Sequence, residues 1–256
     1  MRNENISPGY YKIGLTSDRG YSEALPGQFV TLKFADQIAP LLRRPFSIHR
    51  LITTAEGISG IEILYRVVGT CTKKLSLCKK GDTLDVLGPL GNGFSIPSDA
   101  RRIFIAAGGI GVAPMAFLTS FMQKKGADLS ECTVFIGGRS EDDILCRDDF
   151  TRMGIAVRLT TDDGSAGEKG QVTDILEPAM KLRPDIIYAC GPMPMLKAVA
   201  RVAKIYAVQC QISVETMMAC GMGVCLGCAV EPENDSDAYM HVCKNGPVFD
   251  SDIIRI

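Results

Sequence analysis

The sequence predicts an antiparallel β-barrel, then a parallel α/β domain, then a small cysteine-rich module at the C-terminus. Three observations carry this. Short β-type runs broken by Pro26-Gly27, Gly57 and Lys80-Gly81-Asp82 fill residues 1–98, and from Arg101 apolar strands alternate with helical periodicity. Finally, four of the ten cysteines crowd into the last 37 residues.

In the first part, strands are expected at Gln28 to Phe34, Ile48 to Ile52 and Ile61 to Val68. In the second, Ile103 to Ala107, Thr133 to Ile136, Val157 to Thr160 and Ile186 to Ala189 read as short strands buried on both faces. Helices fit the gaps at Ala113 to Lys125, Asp142 to Met153, Val172 to Met180 and Pro194 to Tyr206. A first boundary falls near Pro97 to Ala100, giving a barrel over 1–98 and an α/β domain over 99–206. The remaining residues, 207–256, carry only the short strand candidates Gln211 to Val214 and Tyr239 to Val242 and read as a metal-nucleated module.

Composition excludes several classes. At 256 residues the chain can bury a proper core. Lys and Arg number 28 against 29 Asp and Glu, with no long run of one sign, which disfavours nucleic acid and a membrane surface as partners. No apolar stretch approaches the roughly 20 residues of a membrane span. Met1 to Asn5 leads into Tyr10-Tyr11-Lys12-Ile13 without a secretory apolar core, so a cytoplasmic protein is expected.

The most specific motif is Cys220, Cys225 and Cys228 followed by Cys243. Its opening C-x4-C-x2-C spacing matches the plant-type loop that holds a [2Fe-2S] cluster through four thiolates. Gly221, Gly223 and Gly227 let the backbone wrap such a core and turn N–H groups toward sulfur. Structural zinc is the competing reading, although zinc sites more often pair two C-x2-C knuckles.

Gly108, Gly109, Gly111 and Pro114 follow a buried strand and open a helix, the context of a phosphate-binding turn; Pro114 stands where the usual dinucleotide fingerprint has glycine. Cys190, Gly191 and Pro192 sit at the carboxyl edge of the sheet, where ligands bind in open α/β folds, so Cys190 is a candidate neighbour of a nicotinamide. A buried cysteine there can equally be a small apolar residue. In the barrel half, Arg44 can clamp a pyrophosphate and Ser47 can reach a ring edge.

Taken in order, Arg44-Pro45-Phe46-Ser47, Gly88 to Phe94, Gly108 to Met115 and Cys190 to Met193 resemble the ferredoxin-NADP reductase superfamily over nearly the whole chain. The four C-terminal cysteines, Asp162-Asp163-Gly164-Ser165 and Ser213-Val214-Glu215 narrow the resemblance to electron-transfer subunits of dihydroorotate dehydrogenase B. The resemblance implies an FAD-binding barrel in which Arg44, Pro45, Phe46 and Ser47 line the flavin, with Ser47 near its reactive nitrogen. Leu64, Tyr65 and Arg66 would supply the neighbouring strand, and Gly69, Cys71 and Thr72 the helix under the phosphates. Gly69-Thr70-Cys71-Thr72 allows two alignments with the family's Gly-Thr turn. The resemblance further implies a partner subunit, in a two-plus-two heterotetramer, that oxidises dihydroorotate with FMN in pyrimidine biosynthesis. Electrons would pass through the cluster and FAD to NAD+, with Ser47 and Cys190 as the catalytic neighbours.

Reductase subunits of flavin-based transhydrogenases, sulfide dehydrogenases and hydrogenases share this arrangement and remain alternatives, as does a redox-sensing iron-sulfur module. His49 and His241, the only histidines, lie in separate predicted strands and suggest no paired role. Cys71, Cys78, Cys132, Cys146 and Cys210 show no ligand spacing. Met217, Met218 and Met222 flank the cluster loop as packing or as a dry cover. The acidic run Glu141-Asp142-Asp143 suits a helix start and disfavours a 2′-phosphate, whereas Arg139-Ser140 can bind one; NAD is the expected nucleotide.

Overall fold

The computed structural model describes residues 2–17, 20–35, 40–234 and 238–256, so Met1 of the N-terminal reading lies outside the described residues. The first part is antiparallel throughout. Strands β1 (Arg2–Ser7), β2 (Tyr10–Thr16), β3 (Phe29–Phe34), β4 (Arg44–Ser47), β5 (Arg50–Thr54) and β6 (Gly57–Arg66) precede helix α1 (Thr70–Ser76) and strand β7 (Leu84–Leu90). They form a sheet of order β1-β2-β6-β5 and another of order β4-β3-β7. Alternating residues Ile13, Leu15, Val30, Leu32, Ile61 and Ile63 close one core between the two sheets, as a half-buried strand periodicity of two requires.

The expected strand at Ile48 to Ile52 starts two residues later: Ile48 and His49 form a corner, and Arg50 to Ile52 lie in β5. Ile48 donates its N–H to Gln28 O and His49 donates to Glu62 O, so the chain leaves one sheet at β4 and enters the other at β5. Both corner residues are buried, which hides the turn inside an apolar run.

The second part contains β8 (Ile103–Gly108), α2 (Val112–Lys124), β9 (Thr133–Gly138), α3 (Arg147–Arg152), β10 (Ala156–Thr161), β11 (Glu168–Lys169), α4 (Val172–Ala179), β12 (Ile186–Cys190) and α5 (Met193–Ile205). Beyond it lie β13 (Gln209–Ser213), β14 (Ala229–Val230), β15 (Met240–His241), α6 (Val242–Asn245) and β16 (Val248–Asp250). The main sheet has order β11-β10-β9-β8-β12-β13-β16 and is parallel except for β16. β8 and β12 are buried along their whole length because helices cover both faces. Ile103, Ile105 and Ala107 face the α2 side, while Phe104 and Ala106 face α4 and α5.

Two expectations need correction here. Asp142 to Met153 is not one helix: a short 3-10 turn at Glu141–Asp143 precedes α3, and Cys146 between them adopts φ 59°. Asp143 is drawn off by Arg139 and Tyr10, while Ile144 and Leu145 turn into the core and break the helical path. Residues 207–256 also add strands to the main sheet. β13 extends the parallel sheet beside β12 and β16 pairs with β13, so the cysteine segment is an excursion between two strands of that sheet. Val242, expected in a strand, opens α6 and buries Cys243.

The chain leaves β8 for β9 and β10 on one side, then returns to β12 and β13 on the other. The switch point therefore lies between β8 and β12, where an open α/β sheet offers a crevice at the strands' carboxyl ends.

Candidate functional site

Two cavities meet at that crevice. The first, about 570 Å³, lies on the barrel face; all ten residues expected from the barrel half line it, namely Arg44, Pro45, Phe46, Ser47, Leu64, Tyr65, Arg66, Gly69, Cys71 and Thr72. β4 and β6 bring the first seven together, and Phe46 packs edge-on against Tyr65 with centroids 6.1 Å apart. Arg43 is committed to an ion pair with Asp85, leaving Arg44 as the arginine on the cavity wall.

The two alignments at α1 separate on hydrogen bonding. Thr72 Oγ1 accepts from Val68 N–H at 2.9 Å and Gly69 N–H at 3.1 Å, so its hydroxyl caps its own helix. Thr70, which belongs to the other alignment, also lines the cavity and stands exposed in the first turn. A Cβ at Gly69 would meet nothing within 4 Å, so there is room for a group to approach the backbone. Thr216 lines the same cavity and has a buried hydroxyl with no hydrogen-bond partner. Open space at a helix start and an unsatisfied hydroxyl fit a large polar ligand.

The second cavity, about 550 Å³, is lined by Gly108, Gly109, Gly111, Gly191 and Pro192. Here glycine is required sterically: a Cβ on Gly111 would come within 2.3 Å of Cys190 O, and one on Gly108 within 2.7 Å of Met195 Sδ. Pro114 lies in the buried first turn of α2, where a missing N–H leaves no helix bond unmade, and is not on the wall.

Cys190 is not on either wall. It is 1% exposed and burial pushes its thiol well up, the behaviour of a core residue. It lies one layer behind the wall, hydrogen-bonded to Ser213.

Glu215, absent from the expected site residues, lines both cavities together with Arg66 and Ile110. Its side chain keeps contact with solvent through the opening, yet the protein mass around it raises the carboxyl pKa. The one sequence signal was the Ser213-Val214-Glu215 stretch.

Ser213 to Thr216 and Met218 then carry the wall of the first cavity into the cysteine loop. Gly221 and Gly223 adopt φ of +73° and +82°, the left-handed region that favours glycine; Gly227 does not, and Leu226 takes that region instead. Backbone N–H groups of Met222, Val224 and Cys225 point at Cys220 Sγ from 3.4 to 3.5 Å, and Gly223 N–H points at Cys243 Sγ from 3.0 Å. These donors, Met222 N–H foremost, lower the Cys220 thiol to about 6, whereas burial raises Cys243 to about 11.

The thiols contact in two pairs, Cys220 with Cys225 and Cys228 with Cys243. A tetrahedral zinc with Zn–S of about 2.3 Å would hold all four sulfurs roughly 3.8 Å apart. Among the described residues, no three of these sulfurs lie mutually within 4.8 Å. Two pairs with N–H donors fit a two-iron core better than one zinc.

Comparison with known proteins agrees with this geometry. Residues 215–255 match the iron-sulfur cluster binding domain of dihydroorotate dehydrogenase B, and residues 104–201 match the oxidoreductase NAD-binding domain. The "Dihydroorotate dehydrogenase B (NAD(+)), electron transfer subunit" of Desulforamulus reducens is 39% identical over 248 residues, 96% of this chain and 92% of that one. The chain belongs to this family. The subunit of the same name from Geobacillus kaustophilus is 40% identical over 95% of this chain and 92% of its own.

Among solved structures, an NADH-dependent reduced ferredoxin-NADP oxidoreductase, described for flavin-based electron bifurcation, superposes with a TM-score of 0.85 at 29% identity. That match covers 99% of this chain and 88% of the other. The ferredoxin reductase of carbazole 1,9a-dioxygenase shares the fold, with a TM-score of 0.68 at 21% identity over 81% of this chain and 64% of its own. Like the family, the chain is thus an oxidoreductase subunit of electron transfer, with the barrel, the α/β domain and the small C-terminal cluster module expected from its sequence. No helix among the described residues is long and apolar enough to cross a membrane.

Proposed function

We propose that this chain carries electrons from a catalytic partner that oxidises dihydroorotate with FMN to NAD+, serving pyrimidine biosynthesis. One observation supports the reading above the rest: the three sites are contiguous. The first cavity shares Arg66, Ile110 and Glu215 with the second, and shares Ser213 to Thr216 and Met218 with the segment that becomes the cysteine loop.

Cys220, Cys225, Cys228 and Cys243 would hold a [2Fe-2S] cluster, the first cavity FAD and the second the nicotinamide nucleotide. The cluster supplies single-electron transfer, and FAD, when bound, supplies the exchange between single electrons and a hydride. This chain's residues do the positioning. Arg44 and the α1 start at Gly69 and Thr70 would face the pyrophosphate, Pro45, Phe46, Leu64 and Tyr65 would exclude water from the ring, and Ser47 would face its reactive edge. Gly108, Gly109, Gly111, Gly191 and Pro192 would let the nucleotide approach the backbone, and Glu215 stands where the cavities join, able to hold a proton in the cleft. Cys190 would back that wall without touching solvent.

In this reading the barrel spans 1–98, and the nucleotide domain runs from 99 through Ser213 and resumes with β16, enclosing the cluster loop. The complex would be a heterotetramer in the cytoplasm, where thiols stay reduced.

A second reading follows from the 29% identical bifurcating oxidoreductase: the same electron path with a different partner, as in a transhydrogenase, sulfide dehydrogenase or hydrogenase. Anaerobic purification from the native cells, with identification of what co-purifies, separates them. An FMN protein that oxidises dihydroorotate supports the first reading. A large flavin-iron-sulfur or hydrogenase subunit replaces it with the second, and a colourless preparation would sink both.

A further inference from the structure

We infer that the Thr31 hydroxyl donates a hydrogen bond to a sulfur of the iron-sulfur site, and so sets how readily the cluster takes its electron. The inference rests on reading Cys220, Cys225, Cys228 and Cys243 as the ligands of a [2Fe-2S] cluster.

The two faces of β3 are employed differently. Val30 and Leu32 point into the barrel core, so the strand's period of two turns Phe29 and Thr31 to the other side, toward the rest of the chain. Neither is exposed there. Phe29 is buried in the same packed cluster as Cys228 and Cys243, and Thr31 is 1% exposed. The cysteine loop lies over Thr31: a Cβ added to Gly221, the residue after Cys220, would come within 3.0 Å of Thr31 Cγ2 and 3.5 Å of Leu90 Cδ1. Glycine thus lets the loop backbone settle directly on the barrel.

The Thr31 hydroxyl is buried there and makes no hydrogen bond, although valine, its near-isostere, suits a strand at least as well. Leaving such a group unpaired costs about 1–3 kcal/mol, so a partner is expected where the chain closes on it. Two other buried hydroxyls among the described residues share this condition: Thr216 stands on the wall of the first cavity and Thr160 in β10. Thr31 lines neither cavity, whereas Phe29 and its cross-strand neighbour Pro45 both line the first. It therefore stands behind that wall, on the side where the loop carries its sulfurs.

The chemistry of the two groups is complementary. Thiolate and sulfide sulfurs accept hydrogen bonds and a hydroxyl donates one. Backbone N–H groups of Met222, Gly223, Val224 and Cys225 already point at Cys220 Sγ or Cys243 Sγ from within the loop, and Thr31 adds a donor from the barrel. Taking up one electron, with no bond made or broken, gives the cluster one more negative charge, which a donor aimed at its sulfur stabilises. The cluster is then easier to reduce with the Thr31 hydroxyl than without it.

The test uses the purified cofactor-loaded chain, unmodified and as Thr31→Val and Thr31→Ser. Valine keeps the branched shape that the strand holds and removes the donor. Each protein is poised with mediators at one fixed potential near the midpoint of the unmodified cluster, and the reduced fraction is read by EPR for the cluster and by absorbance for the flavin. In Thr31→Val the reduced-to-oxidised ratio of the cluster should fall about tenfold, the scale of one hydrogen bond to a charged group, while the flavin ratio and the iron per chain hold. Thr31→Ser, which keeps the hydroxyl, should recover most of the loss. An unchanged cluster ratio in Thr31→Val, a shift carried by the flavin instead of the cluster, or a Thr31→Ser protein as impaired as Thr31→Val would overturn the inference. An unmodified chain without the EPR signal of a reduced two-iron cluster would instead remove the reading of the four cysteines on which it rests.

Discussion

Gly223 donates its backbone N–H to Cys243 Sγ at 3.0 Å, tying the cysteine loop to the helix that carries the fourth thiol. Gly223 does so at φ +82°, where an added Cβ is strained by roughly 1–2 kcal/mol. Gly223→Ala should therefore lower the iron bound per chain and bleach the cluster absorbance faster under chelator, while flavin content stays level. Full iron occupancy with ordinary chelator resistance would show that this donor does not shape the site.

The two thiol pairs predict a separable phenotype. Cys225 is exposed and pairs with Cys220 at the outer side of the loop, away from both cavities. Cys225→Ser should stop electron flow between partner and NAD while NADH still reduces the bound flavin. Stopped-flow bleaching of the flavin, compared with steady-state partner-linked turnover, checks both halves. Intact partner-linked turnover would remove the cluster from the path.

Thr70 and Thr72 divide the roles that the sequence left merged. Losing the Thr72 hydroxyl strands the Val68 and Gly69 N–H groups, so Thr72→Val should lower stability by about 1–2 kcal/mol through the helix start. Thr70→Val touches no such bond and should instead weaken flavin retention. Chemical denaturation and flavin Kd, measured on both variants, distinguish the two; equal effects of both variants on both readouts would contradict this division.

The contrast shows what a linear sequence can carry. The cysteine grouping and the glycine turns were legible because spacing and backbone freedom are local properties, and the strands buried on both faces announced themselves as unbroken apolar runs. The corner at Ile48-His49 was not legible, since both residues are buried and a change of sheet leaves no polar mark. The break at Cys146 depends on Asp143 meeting Tyr10, 133 residues away, which no local pattern encodes. Glu215 was quoted but not assigned, because its importance comes from standing where two cavities join. Residues 209–213 were read apart from the parallel sheet because the cysteines beyond them suggested a boundary at 206, just ahead of β13.

His49 gives the pH dependence. It is 1% exposed in the corner between β4 and β5, its Nδ1 lies 3.1 Å from Ala113 O, and burial is the main reason its pKa falls from 6.5 to about 4. Nearby Asp149 offers little compensation, being held by Arg50 at 3.3 Å and Arg152 at 2.7 Å. Because the folded pKa lies below the unfolded one, the unfolded chain binds the extra proton between them. The stability that neutral His49 contributes is therefore complete above about pH 6.5 and is lost as pH falls toward 4, with a slope of at most about 1.4 kcal/mol per pH unit. Urea midpoints at about pH 4.5, 5.5 and 6.5 should fall with acidity in the unmodified chain and fall less steeply in His49→Gln. Parallel slopes would mean that other groups govern the acid sensitivity, and that the buried imidazole takes up its proton without opening the corner.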